Sequence, residues 1–232
     1  LLSLFILLQV PAAWLLKKFA PNVRNIHNIT GNIWVGQADW QVNQLKGTLH
    51  WTTRPWDFIR LRAAADVTLR SGQTELKGIV AYSMGKTLYV QNLNGEIGTD
   101  TLQHMVAWQW PTTQMKLQDI EIIYNKSEGF TKADGQMTWA GGNLQYQIAQ
   151  RYERIDVPPL IAKLNAETNK LKLAITNTQQ QRMADISLGA DQMLDVQLTQ
   201  RFLLHSPSYK GQAGLDTAVV TTRQPLRSLG GM

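Results

Sequence analysis

The chain contains no cysteine, which excludes disulfides and thiolate chemistry outright and leaves the redox compartment open. Histidine is scarce too: His27, His50, His104 and His205 stand far apart, and none falls in His-x3-His or His-Glu-x-x-His spacing. There is no Gly-x-Ser-x-Gly elbow, and the carboxylates, Asp119, Glu121 and Asp134 among them, form no calcium-loop pattern. Met84-Gly85-Lys86-Thr87 has the ending of a phosphate-binding loop, but position 80, where the first glycine belongs, is Val80, and strand-like runs flank the segment. A hairpin turn is the expectation there. No catalytic residue, metal or cofactor is expected, and an enzyme acting on envelope polymers lacks a catalytic constellation.

Charge is also sparse, at 17% of residues. The net charge is +6, but Lys and Arg are scattered, with the densest groups at Lys17-Lys18 and Arg60-Arg62. A nucleic-acid binder concentrates basic residues on one face or in one run. The expectation is a mildly basic surface and no nucleic acid.

Only one long apolar run exists. Leu1 to Leu16, through Leu4, Phe5, Ile6, Leu7 and Leu8 to Trp14 and Leu15, is broken only by Ser3, Gln9 and Pro11. As a helix it spans roughly 24 Å, short of the roughly 30 Å hydrocarbon core, and it does not open on Met, so the span is expected to be truncated at its start. Trp14 and Lys17-Lys18 fit interfacial anchors. A cleaved signal peptide is a poorer reading, because Pro11-Ala12-Ala13-Trp14 is a weak small-x-small site. A buried helix fits the Trp-Lys-Lys exit less well. Residues 1–18 are therefore expected to anchor the chain in a membrane. Lys17, Lys18 and Arg24 follow the run, so a domain outside the cytoplasm requires more positive charge ahead of it.

After a linker at 19–28, the remainder alternates with a period of two. Ile29 to Val35 shares one parity, and Leu45, Gly47, Leu49 and Trp51 share another, with Gly36 and Asn43-Gln44 expected as turns. Glycines preceding large aromatics point to close backbone approach beneath a ring. Further strands are expected at Ala63–Leu69, Thr74–Tyr82, as two short pieces within Leu88–Ile97 around Asn92 and Gly95, from Met115 through Ile120-Ile122-Tyr124, and at Met137–Trp139 and Leu144–Ile148. Leu171–Ile175, Ile186–Leu188 and Leu194–Leu198 complete the series. Short helices are expected at Thr101–Trp110 and, after Pro158-Pro159, at Val157–Leu164. The fold expected is all-β, an antiparallel meander of many short strands over 29–204. Gly47-Thr48-Leu49-His50-Trp51 recurs as Gly135-Gln136-Met137-Thr138-Trp139, which raises a two-half arrangement, 29–111 and 112–204. A flexible or docking tail follows at 205–232, with Ala218–Thr221 as a last strand or a strand offered to a partner.

Four of the eight tryptophans fall between Ile29 and Trp56. On a regular strand Trp34 and Trp40 share a face. Trp34 and Trp51 fit a core, and Trp56, behind Pro55, fits an interface. The candidate interface is Trp34, Trp40, Trp56, Val219 and Val220.

Gly31-Asn32-Ile33-Trp34-Val35-Gly36-Gln37-Ala38, then Leu49-His50-Trp51, then Arg54-Pro55-Trp56 resembles the opening of the type II secretion system protein N family. The resemblance extends to the N-terminal run and the β-rich remainder. It implies a single-pass protein of the bacterial inner membrane with its main domain in the periplasm, serving as a scaffold. The partners it implies are the inner-membrane platform, the connector protein C and, through it, the secretin. A different class of function is a lipid-binding β-groove of the envelope. The face carrying Lys46, Thr48, His50 and Thr52 is polar, which favours a single core and the scaffold.

Overall fold

The computed structural model describes residues 25–105, 113–148 and 151–225. The expected anchor at 1–18, with Leu4, Phe5, Ile6, Leu7, Leu8, Trp14, Leu15, Lys17 and Lys18, lies outside them. Among the described residues no helix is long and apolar enough to cross a membrane.

Alternation along the sequence becomes a meander: β1 (Ile26–Gly31), β2 (Val35–Val42), β3 (Leu45–Thr53), β4 (Arg62–Ser71), β5 (Thr74–Ser83), β6 (Thr87–Ile97), β7 (Met115–Asn125) and β8 (Gly129–Trp139). The chain then makes a hairpin, β9 (Gly142–Ile148) and β10 (Arg151–Val157), before β11 (Leu160–Glu167), β12 (Lys170–Asn177), β13 (Arg182–Leu188), β14 (Met193–Thr199) and β15 (Ala218–Pro225). All strands except the β9–β10 pair form one 13-stranded sheet in chain order. It is antiparallel throughout and runs without a break across the expected boundary between halves at 111/112. Two short helices, α1 (Thr99–Met105) and α2 (Gln200–Leu203), and a 3-10 turn (Pro55–Arg60) complete the described chain.

Directly paired residues of neighbouring strands share a face, so the register traces each face. Ala38 pairs with Leu49, Leu49 with Leu69, Leu69 with Leu76 and Leu76 with Gly95. The row continues Leu117, Met137, Ala162, Ile175, Ala184, Leu198 and Val220. One apolar row therefore crosses every strand of the sheet from β2 to β15. The adjacent row on the opposite face is polar: Thr48, Arg70, Glu75, Glu96, Lys116 and Thr138. Ion pairs stitch it, Glu75 with Arg70 (3.1 Å) and Lys77 (2.7 Å), and Glu96 with Lys116 (3.4 Å).

An apolar face needs a second layer. The middle of the face buries Leu117, Ile120 and Leu164, with Leu76, Leu93, Met137 and Leu173 packed around them. Register shifts fall here, between Lys77 and Ile79 and between Gln118 and Glu121, and such bulges bend a sheet. Toward β11–β14 the second layer is the β9–β10 hairpin.

Several local expectations are corrected. Gly36 is not a turn; it sits inside β2 opposite Trp51. The turn is at Asn32–Trp34, where the Asn32 side-chain oxygen accepts from both Trp34 N and Val35 N at 2.9 Å. Ile29 to Val35 is thus two strands. The helix expected at Val157–Leu164 is instead the end of β10 and the start of β11. Leu160, Ala162 and Leu164 alternate, and ladders on both sides outweigh the proline signal. The helix at Thr101 begins at Thr99, and its expected part beyond Met105 lies outside the described residues. Met84–Lys86 is a hairpin turn, as expected.

Candidate functional site

Two features could serve a ligand or partner, and they stand at opposite ends of the strands. The first is the 3-10 turn. Pro55 supplies its fixed φ at the start, and Leu61 closes it in the left-handed region at φ 54°. Asp57, buried at 7% exposure, anchors it by accepting from Arg62 Nε at 2.7 Å. Arg54 and Arg60 also approach that carboxylate, at 3.6 and 4.0 Å. Arg54 also reaches Asp66 at 3.8 Å, so three guanidinium groups face two carboxylates and leave an excess of one positive charge. The turn itself points apolar side chains outward: Trp56 is 81%, Ile59 76% and Leu61 67% exposed. Met84, whose N–H donates to the Leu61 carbonyl at 3.4 Å, is 82% exposed beside them.

The candidate interface residues do not form one surface. Trp34 lies in the β1–β2 turn, not on a strand, so the expected face shared with Trp40 does not exist. Its ring meets Phe58 edge-on at 6.2 Å between centroids, half-buried. Trp40, half-buried in β2, lies over Gly47, and Trp51 lies over Gly36. These are the close approaches that the glycine spacing forecast. Trp56 alone among these tryptophans is freely exposed. Val219 and Val220 lie on β15, the last strand of the sheet, beyond which no described strand pairs.

The second feature is a groove of about 610 Å³ between the apolar face and the β9–β10 hairpin. Gly141, at φ +75° and tight against Val157 and Pro158, lets the hairpin leave β8 and fold back, and Pro158-Pro159 end β10 without donors. Leu144, Ile155 and Val157 form the hairpin wall and pack with Trp139, Met115, Leu160 and Phe202 of α2. Ala162, Ile175, Ala184 and Leu198 form the floor. Ser206, Ser208 and Tyr209 contribute hydroxyls at the edge, and Ser208 and Ser206 both donate to Glu153 Oε2. Sequence reasoning raised a β-groove as its second reading but did not place it or name its lining. It had a polar face and an apolar face, and took the apolar face to be fully covered.

The outer face near β13–β15 is charged. Asp191 accepts from Met193 N at 3.1 Å and pairs with Arg223 at 2.8 Å. Those contacts, the Met193 N–H first, hold its carboxyl below the ordinary aspartate value. Lys132 is raised by its bond to Glu121. Among the described residues no group of three or more metal-ligating side chains is present.

Compared with known proteins, residues 22–230 match the family model described as type II secretion system (T2SS), protein N. No curated protein and no solved structure matches the chain.

Proposed function

The chain belongs to the type II secretion system protein N family, and from that premise we propose that it is a non-enzymatic accessory scaffold of the machine. In this reading residues 1–18 tether it to the bacterial inner membrane and the sheet stands in the periplasm. The observation that carries the reading is the exposed group Trp56, Ile59, Leu61 and Met84, ringed by Arg54 and Arg60. Exposed large apolar side chains held together on a fixed turn mark a protein contact. The group also sits at the strand ends remote from Ile26, where the chain enters the sheet. A tether preceding Ile26 would thus leave it facing away from the membrane. The partner surface it fits is apolar with an acidic rim. Within the family's setting the candidates are the inner-membrane platform proteins and the connector protein C, and through it the secretin.

The test is detergent extraction of the tagged full-length protein, followed by mass spectrometry of what co-purifies. Secretion-system subunits in stoichiometric amounts are expected, and Trp56→Ala with Ile59→Ser should reduce their recovery at least tenfold at an unchanged melting temperature. Recovery at the wild-type level from the double variant would rule the turn out as the interface.

A further inference from the structure

The groove under the β9–β10 hairpin has a chemistry that the scaffold does not use. Its floor strands, β11 to β14, are each paired on both sides. Their N–H and C=O groups are taken, so an extended peptide laid there would lose water from its backbone and find no ladder in exchange. An alkyl chain carries no such groups and loses nothing by entering. The lining matches that: Ala162, Ile175 and Leu198 below, Leu144, Ile155 and Val157 above, and among the described residues no charged side chain. Its volume of about 610 Å³ lies within the roughly 300–1,000 Å³ typical of small-molecule sites.

The polar edge narrows the class. Behind the Ser206 and Ser208 hydroxyls stands the Glu153 carboxylate, which accepts from both. Both hydroxyl protons are spent on Glu153, so these serines have none to donate to the carboxylate of a free fatty acid. Their oxygens can still accept from the ammonium of a zwitterionic headgroup.

Position supplies the source. Ile26 pairs with Trp40 and Trp40 with Gly47, one step from the Ala38–Leu49 row toward the strand ends. Trp139, Met115 and Leu160 lie one step from the Met137–Ala162 row in the same direction. The groove therefore stands at the end of the sheet where the chain arrives from Leu1–Leu16.

We propose that this groove binds an acyl chain of a zwitterionic membrane phospholipid, taken up at the end of the sheet nearest the tether. The supply route rests on the tether of the preceding reading; the binding does not.

The experiment presents the full chain with phosphatidylethanolamine vesicles in which a tracer phosphatidylethanolamine carries a photoreactive diazirine in its acyl chain. After irradiation, labelled peptides are mapped by mass spectrometry. Label is expected on peptides containing Trp139, Ile155 and Phe202. Ala162→Trp, which fills the floor, should reduce that label at least tenfold while label on residues 1–16 stays unchanged, and equimolar oleate should not compete. If Ala162→Trp fails to fold, Leu203→Lys replaces it, because a half-buried lining position tolerates a long stem and places charge in the groove. Groove label without label on residues 1–16 removes the tether and leaves the binding standing. Label confined to residues 1–16, groove label undiminished in both variants, or a groove shielded by dimerisation with a second copy would each overturn the proposal.

Discussion

The Trp51 ring covers Gly36, its directly paired neighbour across β2 and β3, so closely that a methyl group on Gly36 would sit inside the indole. A similar arrangement recurs four residues along the same two strands, where Trp40 lies over Gly47, its own partner. Each glycine gives up side-chain packing so that a large ring can lie on the backbone and seal that part of the face. Gly36→Ala is therefore expected to destabilise the fold by about 1–3 kcal/mol through overpacking. Chemical denaturation with tryptophan fluorescence should show a lower midpoint and, because the ring is displaced, a shifted native emission. An unchanged midpoint would mean that the ring is free to move aside.

Asp57 is the buried carboxylate at the centre of the exposed 3-10 turn. Asp57→Asn keeps the shape but removes the charge that faces Arg62, Arg54 and Arg60. The expected cost is about 1–3 kcal/mol. The informative readout is local: amide exchange at residues 55–61 should quicken more than exchange in β7 or β11. Uniform quickening would show that the turn is not a separate unit.

How much of this was legible in the sequence follows from which contacts are local. Leu171-Leu173-Ile175 and Leu194-Val196-Leu198 announce strands because one face of the sheet is apolar and the other wet. Asn43-Gln44 announces a turn because Asn takes the left-handed conformation, here at φ 54°. The exposure of Trp56 was legible from Pro55, which starts a turn that holds the next side chain out. What was not legible is set by distant partners. Leu160-Ala162-Leu164 after two prolines reads as a helix start until β8 and β12 are known to flank it. The bulge at Asp119, with φ 48°, exists to fit Ile120 beneath Gly135, a contact between two strands. The groove depends on where a hairpin of ordinary composition folds, and no spacing within 142–157 says that it leaves the sheet.

Ile120, at 1% exposure among Leu117 and Leu164, is the centre of the bulged region. Ile120→Ala is expected to cost about 2–5 kcal/mol, the range for a large-to-small change in a closed core. Differential scanning calorimetry should show a single lowered transition if the sheet is one cooperative unit. Two transitions, only one of them shifted, would revive the idea of separate halves.

Asp191 gives a pH signature. Its carboxyl is held below the ordinary value of 3.8 by the Met193 N–H and by Arg223. A depressed folded value means that the interaction contributes stability above the unfolded value and loses it as pH falls through the folded one. The group is exposed, so the effect is local to the β14–β15 end. Carbon-13 titration of the Asp191 carboxyl should give a midpoint below 3.8. Arg223→Gln should move it only part of the way back, since the Met193 bond remains. Full return on removing Arg223 would make the guanidinium the dominant cause.

The two edges of the sheet are not equivalent. β1 is broken by a register shift between His27 and Thr30, with Asn28 in the left-handed region at φ 48°, which is how edges are commonly blunted. β15 pairs with β14 in unbroken register from Leu198↔Val220 to Met193↔Pro225. Its own shift lies at the start of the strand, between Leu198 and Thr199, so from Val220 onward it is the more regular edge, suited to accept one more strand. In an antiparallel ladder alternate residues turn their N–H toward the neighbour or away from it. Proline placed in turn at Val220, Thr221, Thr222 and Arg223, all within the unbroken run, should therefore divide into two classes. One class removes a bond to β14 and lowers the melting temperature by several degrees, at roughly 2–4 °C per kcal/mol for a chain of this size. The other touches only the outward edge and should leave melting unchanged. If a secretion-system partner adds a strand here, the second class alone should lose its recovery in co-purification. Wild-type recovery from both outward-facing variants would exclude edge pairing and leave the Trp56 turn as the contact surface.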